Sequence, residues 1–237
     1  MKIYIWFLCL LLTGSFCQAQ KFVDVSSVDS PLGQGLYYTI NGEPFISARF
    51  SKVTEGSPYI NTEFIPGILV LSGGRQYQDV PMKINILEGT LLYLNEQKEE
   101  LESTVPIRKV IIPDTKTGEP RIFLHSDFTC SRPQKTWYEL LDSGKAVLLK
   151  FDKRIMKENK PYGSATTEQI IHSRIEYLLI YNYECFSFRN RKELEQILKQ
   201  SAPEFNIAVA KNNSKEKGDE PVSALIRAFN DFHKTKN

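Results

Sequence analysis

The sequence has few of the residues that most often carry chemistry. Its 237 residues include three histidines, four cysteines and two tryptophans. It contains no Cys-x-x-Cys, which argues against a thiol-redox or zinc-ribbon protein. The formal net charge is only +2, so the basic footprint of a nucleic-acid-binding protein is missing. We therefore predict no metal, no cofactor and no nucleic-acid partner.

The N-terminus is the only long apolar run, and it predicts export. A short basic start, Met1-Lys2, precedes the apolar stretch Ile3–Leu12, and the small residue Ala19 follows at the expected cleavage position. This layout is that of a secretory signal peptide over residues 1–19. Lipidation of Cys17 is the alternative, although bulky Phe16 stands where a small residue is required. We expect cleavage near Ala19, no transmembrane segment in the mature chain, and a location in the periplasm, the cell envelope or outside the cell.

Two cysteines, Cys130 and Cys185, remain after that cleavage. In an oxidising compartment an even pair is consistent with a disulfide. The sequence leaves open whether the two thiols are bonded or separate, because a bond requires Cα atoms within about 7 Å.

Short runs of β-branched, aromatic and leucine residues between turn residues fill most of the chain, which predicts mainly β-structure. We divide it into an N-terminal β segment, residues 20–55, and an antiparallel β-domain, residues 56–189. The strands are expected to form a meander that either closes as a barrel or remains a curved sheet. Asn41-Gly42 is the strongest hairpin signal. The polar stretch Asp152–Arg174 is interpreted as a surface loop.

Residues 190–237 change to a helical period and predict a C-terminal helical segment. Asn190 and Glu193 resemble a capping box. Ser201–Glu204 is a second expected helix start, and Pro221 lies in the first turn of the last helix. The apolar stripe of that helix is expected to pack on its own domain; it comprises Val222, Leu225, Ile226 and Phe229.

No group of polar residues forms a recognisable catalytic motif. His125, Ser126 and Asp127 are consecutive, and neighbours on a strand point to opposite faces, so they do not predict a triad. His172 and His233 lack companions at metal-ligand spacing. Other acidic residues are interpreted as a solvated face: Glu99, Glu100 and Glu102.

Aromatic residues are the most promising candidates for binding. On an exposed sheet face they could stack on sugar rings or anchor a protein, whereas on a buried face they are core residues. The candidate binding aromatics are Trp137, Tyr138, Tyr177, Tyr181 and Tyr183.

Several segments together resemble a family of exported Gram-negative bacterial proteins of unknown function. They are Gly56–Gly67, Ile68–Leu71, Gln76–Asn85, Trp137–Leu141, Val147–Lys150, Lys192–Leu194 and Pro221–Phe232. The resemblance covers roughly residues 56–237, and its motifs are structural. It implies an envelope or extracellular location and no catalytic residue.

The leading functional hypothesis is a non-enzymatic envelope module that binds a protein or glycan partner. A hydrolase of envelope polysaccharide or peptide is one alternative, with a cleft holding two carboxyls as its signature. A carrier of a small apolar ligand is the other, and it requires a cavity of about 300 Å³ or more.

Overall fold

The computed structural model describes residues 42–44, 51–114, 118–129, 135–160, 162, 167–206 and 218–235. Over these residues the protein is mainly β, as predicted, with 52% strand and 18% helix. The strands are β1 Gly42–Pro44, β2 Ser51–Glu55, β3 Ile65–Leu71, β4 Gln76–Asn85, β5 Thr90–Leu94, β6 Glu100–Ser103, β7 Ile107–Pro113, β8 Pro120–His125, β9 Trp137–Asp142, β10 Ala146–Asn159, β11 Thr167–Tyr181 and β12 Glu184–Phe188. The helices are α1 Arg191–Ser201 and α2 Glu220–Lys234.

All described strands belong to one sheet, built from two antiparallel meanders. The first meander runs from β3 to β6, and the second runs from β7 to β12. They join because β7 pairs with β3 rather than with β6. The sheet does not close: β1 and β12 lie at its two ends, while β2 pairs in parallel with β11. Of the two arrangements that the sequence left open, the open sheet is the one found.

The N-terminal strands join this same sheet. Gly42, predicted to lie in a hairpin turn, is instead a strand residue paired with Ser103 of β6. Its partner in the expected turn, Asn41, lies outside the described residues. The Asn-Gly signal reports only local turn preference, and here long-range pairing with β6 overrides it at Gly42.

The predicted loop Asp152–Arg174 is mostly strand. β10 continues to Asn159 and pairs in register with β11 as far as Glu168. The interpretation as a loop was wrong because these strands are largely solvent-exposed, so their sequence carries charges in place of a continuous apolar run. The pairing of β10 with β9 ends at Lys150, and β10 and β11 continue as a two-stranded hairpin beyond that residue.

Both described helices pack on the sheet. The Asn190 side chain accepts a hydrogen bond from Glu193 N, which is the first half of the predicted capping box, whereas the Glu193 carboxylate accepts from Arg189 N, one residue before the N-cap. The second expected helix start is wrong, because Pro203–Phe205 forms a turn after α1. The predicted stripe of α2 is buried against one face of the sheet, with β-strand partners that include Leu148, Leu179 and Tyr181.

A buried amide ties α2 to the second meander. Asn230 Oδ1 accepts a hydrogen bond from Ala146 N at 2.8 Å, and Asn230 Nδ2 donates to Ala146 O and to Asp142 Oδ1. The same side chain lies against Gly144, where a Cβ atom would come within 2.7 Å of it. A side chain at position 144 would therefore have to displace the Asn230 amide.

The first meander contacts the second through the β4–β5 turn. Asn85 stabilises this turn, since its side chain accepts from Glu88 N and donates to the Glu88 carboxylate. At the end of the turn Gly89 has φ +74°, and a Cβ there would lie 2.6 Å from the Lys135 backbone. Glycine is required on both counts, because a side chain would clash and would disfavour this backbone conformation.

Candidate functional site

A cavity of about 400 Å³ lies where the β4–β5 turn meets the start of β9. Buried apolar side chains form part of its wall: Leu91, Ile107 and Trp137. The polar part of the wall comprises Thr90, Glu102, Asp127 and Lys135. A cavity of this size falls within the range of about 300–1,000 Å³ that ligand sites occupy.

His125 forms the floor between these walls and is fully engaged. Its Nε2 lies 3.2 Å from Gly89 O, and its Nδ1 lies 3.4 Å from Asp127 N. Gly89 O can only accept, so its contact requires a proton on Nε2, and the Asp127 N contact to Nδ1 fits a neutral ring, although Asp127 Oδ2 lies at the same 3.4 Å from Nδ1. Burial lowers the pKa of His125, which favours the same neutral form. The ring also packs edge-on against Trp137 at 4.9 Å.

The neighbouring Ser126 does not serve as a nucleophile partner for this histidine. Its Oγ accepts a hydrogen bond from Thr136 N at 3.1 Å, within a buried turn. Both nitrogens of His125 have other contacts, so the consecutive residues do not assemble a base and a nucleophile. This arrangement agrees with the sequence-based expectation that these residues are not a triad.

Three buried polar groups at this end of the sheet have no hydrogen-bond partner among the described residues. They are Thr90 Oγ1, Thr136 Oγ1 and Trp137 Nε1. Thr90 and Trp137 line the cavity, and Thr136 directly precedes Trp137. Buried polar groups in native proteins nearly always have a partner, which is often water or a ligand. These three atoms are buried from the cavity as well as from solvent, so a ligand in the cavity does not reach them in this structure.

A second, smaller cavity of about 100 Å³ lies beside a row of charged residues on β8, β9 and β10. Arg121 binds the Glu139 carboxylate through two nitrogens, at 2.7 and 3.0 Å, and this hydrogen bonding raises the pKa of Arg121. Lys150 contacts both Glu139 and Asp219. The cations here already have carboxylate partners, so the row is a structural network rather than an open binding site.

The same network anchors the start of α2. Tyr177 donates its hydroxyl hydrogen to Asp219 Oδ1 at 2.8 Å, and Asp219 Oδ2 contacts Lys150. Burial and then the Asp219 carboxylate raise the pKa of Tyr177. Asp219 directly precedes the helix, so these contacts fix its first turn to β10 and β11.

Four of the five candidate binding aromatics are buried in the core. The exposed fractions are 1% for Trp137, 0% for Tyr138, 6% for Tyr177 and 5% for Tyr181. These four side chains are therefore core residues, which is the alternative that the sequence also allowed. Tyr183 differs, because it is fully exposed in the β11–β12 turn. Trp137 is the one buried member that also lines the larger cavity.

The structure places the other candidate residues as follows. His172 is exposed on β11, and His233 packs against Phe229 at 4.6 Å. Glu99 belongs to the β5–β6 turn, where it bonds to Asn95, and Glu100 is exposed. Glu102 was interpreted as part of a solvated face but is half-buried and lines the cavity. Within the described ranges, no group of three or more potential ligand side chains is arranged to hold a metal ion.

Cys185 is an exposed residue of β12, paired across the ladder with Ile180. Its predicted partner Cys130 lies outside the described residues, so the disulfide stays a prediction. Residues 1–19 also lie outside them, and cleavage and export stay predictions too. Neither α1 nor α2, in the part of the chain that is described, has the length and apolarity needed to cross a membrane.

Comparison with protein-family models, with curated proteins and with solved structures finds no match for this chain. The resemblance to exported Gram-negative proteins is therefore left as a prediction, and the site has to be interpreted from its own geometry.

No sequence pattern predicts the cavity as a unit. Its lining comes from three separated places in the chain: the β4–β5 turn, the β6–β7 connection and the β8–β9 end. Strand pairing and the contacts of Gly89 with His125 and Lys135 bring these places together, and such contacts between distant segments have no local sequence pattern.

Proposed function

We propose that this protein is an exported, non-enzymatic binding module whose ligand site is the 400 Å³ cavity beside Trp137. The observation that carries this proposal is the cavity itself, which has the size of a ligand site and a wall that combines buried apolar side chains with charged ones.

The form of the wall supports a ligand that is partly polar. Leu91, Ile107 and Trp137 provide apolar contact, while Glu102, Asp127 and Lys135 supply charge. A carrier of purely apolar molecules would be expected to lack those charges, so the cavity suits that alternative poorly despite its adequate size.

A thermal-shift screen of the full chain tests the proposal. The panel would contain sugars, short peptides, fatty acids and divalent cations, each at several concentrations. A ligand present at 100 times its dissociation constant adds about 2.7 kcal/mol of stability, which gives an easily measured shift. The binding proposal predicts a saturable shift that a cavity variant, Leu91→Trp, abolishes. A shift unchanged by that variant would place the ligand elsewhere.

One specific observation favours a second candidate, hydrolysis of a glycosidic bond. Glu102 and Asp127 both line the cavity, and a pair of carboxyls across a cleft is what this reaction requires. The test is turnover of nitrophenyl glycosides, compared with Glu102→Gln and Asp127→Asn. Glu100→Gln, an exposed neighbour on the same strand, is the matched control. Turnover that survives both substitutions would exclude these carboxyls as the catalytic pair.

A further inference from the structure

The distal half of the β10–β11 hairpin extends beyond the strand that flanks β10. The pairing of β10 with β9 ends at Lys150, whereas β10 and β11 stay in register as far as Asn159 and Glu168. Among the other described strands, only β2 pairs with this part of the hairpin, along Thr167–Ile170 of β11. We name this distal half the hairpin arm, and it comprises residues 153–160, 162 and 167–174.

Apolar side chains are exposed on both faces of the hairpin arm. Ile155 is 42% exposed and Met156 is 40% exposed. Successive residues of a strand point to opposite faces of the sheet, so these two side chains lie on different faces. Tyr162, in the connection between the two strands, is fully exposed. A protein partner packed on one face would cover only one of the two aliphatic side chains, whereas a lipid interface surrounds whatever enters it.

Basic residues outnumber acidic residues on the hairpin arm. The acidic residues are Glu158 and Glu168, and the basic residues are Lys153, Arg154, Lys157, Lys160 and Arg174. Arg154 is engaged with the protein, because its guanidinium donates to Ser57 O. The Glu158 carboxylate accepts a hydrogen bond from Gln169. The excess of positive charge therefore lies with the three lysines and Arg174.

The placement of two of these cations is unfavourable within the protein itself. Lys153 and Arg174 lie directly opposite each other on β10 and β11, and like charges in such a pair destabilise a sheet. Glu176 lies 3.5 Å from Arg174. Within the described ranges no carboxylate forms an ion pair with any of the three lysines of the arm. An anionic surface would supply the counter-charge.

Protection of an exposed strand edge is the other common reason for lysines on a hairpin. That role does not account for Ile155 and Met156, because exposed apolar side chains on an edge strand promote the aggregation that the lysines would prevent. Apolar and cationic side chains are both required for binding to an anionic lipid surface, where buried apolar area and electrostatic attraction contribute together.

We propose that the hairpin arm binds the surface of a membrane that contains anionic phospholipids. Its three lysines lie beside the lipid phosphates, and Ile155, Met156 and Tyr162 enter the interfacial layer. Tyrosine is enriched at this depth because its ring is apolar and its hydroxyl is polar, and lysine side chains reach from it toward the headgroups. The proposal goes beyond the proposed function and does not depend on the cavity.

The test needs a reporter on the arm itself, because the apolar run Ile3–Leu12 of the full chain can bind lipid as well. A full chain with Trp6→Phe keeps only the buried Trp137, and Tyr162→Trp then adds an indole on the arm. Vesicles of equal parts phosphatidylcholine and phosphatidylglycerol should shift its emission saturably to shorter wavelength, and brominated acyl chains should quench it. Tyr183→Trp is the matched control, because Tyr183 is equally exposed at the other end of β11. It should show neither effect.

Two further substitutions separate the charge of the arm from its apolar side chains. Lys157→Gln should weaken vesicle binding about 5-fold, the contribution of one basic residue near an anionic surface. Lys145→Gln is the matched control, because Lys145 is an exposed lysine at the opposite end of β10, and it should leave binding unchanged. Ile155→Ser should also weaken binding, since it removes apolar area from the interface.

Three results would overturn the proposal. The first is an equal emission shift for Tyr162→Trp and Tyr183→Trp, or no shift for either. The second is an equal shift with vesicles of pure phosphatidylcholine, or binding that neither Lys157→Gln nor Ile155→Ser weakens. The third is a shift caused by soluble poly-glutamate or inorganic phosphate but not by the anionic vesicles, which would assign the arm to an acidic protein or a free anion instead.

Discussion

His125 Nε2 lies 3.2 Å from the carbonyl oxygen of Gly89, and this contact joins the two meanders of the sheet. Asp127 N donates to the other ring nitrogen, and burial lowers the pKa of His125 against the opposing effect of the Asp127 carboxylate at 3.4 Å. Glu102, Asp127 and Lys135 are the charged groups that line the adjoining cavity. The contact has consequences for stability that can be measured.

The first prediction concerns pH. Because burial lowers the pKa of His125 in the folded protein, the unfolded chain takes up this proton at a higher pH than the folded chain does. Stability should therefore fall as the pH drops below about 6.5, the ordinary value for histidine, and level off below the lowered folded pKa. Urea unfolding at a series of pH values measures this slope.

His125→Gln is the comparison for that experiment, because an amide can still donate to Gly89 O but does not titrate in this range. The variant should show a shallower fall in stability between pH 7 and 5 than the wild type. Equal slopes in the two proteins would show that His125 is not responsible for the pH dependence.

The second prediction concerns the glycine on the other side of this contact. Gly89→Ala places a Cβ 2.6 Å from the Lys135 backbone, at a residue with φ +74°. The left-handed backbone costs about 1–2 kcal/mol for a residue other than glycine, and overpacking adds about 1–3 kcal/mol. We expect a loss of roughly 2–5 kcal/mol in the free energy of unfolding, measured with urea.

Gly74→Ala is the matched control for Gly89→Ala. Its φ is +87°, but no atom of the described residues lies within 4 Å of the added Cβ. This variant should show only the backbone cost of about 1–2 kcal/mol. If the two variants lose the same stability, then the close approach of Lys135 contributes nothing.

The third prediction concerns the amide that ties α2 to β10. Asn230→Ala leaves Ala146 N, which is buried, without its partner and also removes the donor to Ala146 O. An unsatisfied buried group costs about 1–3 kcal/mol, so this variant should lose at least about 2 kcal/mol of stability. Asn230→Asp should be at least as harmful, because a carboxylate cannot donate to Ala146 O and would face the Asp142 carboxylate.

Asp231→Ala tests whether any change at this part of α2 has the same effect. Its side chain is 63% exposed and forms a surface pair with Lys234 at 3.5 Å. Such pairs contribute at most about 1 kcal/mol. A loss for Asp231→Ala as large as that for Asn230→Ala would contradict the role given to the buried amide.

The sequence predicted the parts of the fold that depend on local patterns. The Asn190 side-chain cap of α1 and the stripe of α2 are confirmed, because capping and helical period are encoded by near neighbours. The β10–β11 extension was missed, since its exposed faces carry charges that look like a loop. The strand role of Gly42 depends on pairing with Ser103, which is distant in the chain.

The candidate site was predicted less well, for a related physical reason. Aromatic residues favour strands whether they face solvent or the core, so composition alone could not distinguish Trp137 in a cavity wall from Tyr183 on the surface. Burial is decided by which strands and helices cover each face. The same applies to Glu102, whose position in the wall follows from the folding of β5 and β6 toward β8.

The last prediction concerns the exposed turn that joins β11 and β12. Asn182 and Tyr183 both have positive φ, +48° and +66°. Asparagine tolerates this conformation, but a bulky aromatic residue pays for it with about 1–2 kcal/mol. Two-residue hairpin turns of this kind favour glycine at the second position. Tyr183→Gly should therefore stabilise the protein by about 1 kcal/mol, measured as a higher midpoint in urea.

Tyr183→Ala separates the backbone from the ring in this turn. Alanine removes the exposed aromatic side chain but keeps a Cβ, so it retains the left-handed cost and should not match the gain from glycine. If alanine stabilises the protein as much as glycine does, the backbone explanation is wrong. If both variants destabilise it, the Tyr183 ring makes a stabilising contact in solution. A gain confined to glycine would mean that the backbone of Tyr183, whose side chain is fully exposed, is strained in the native protein. Strained residues of this kind cluster at functional positions.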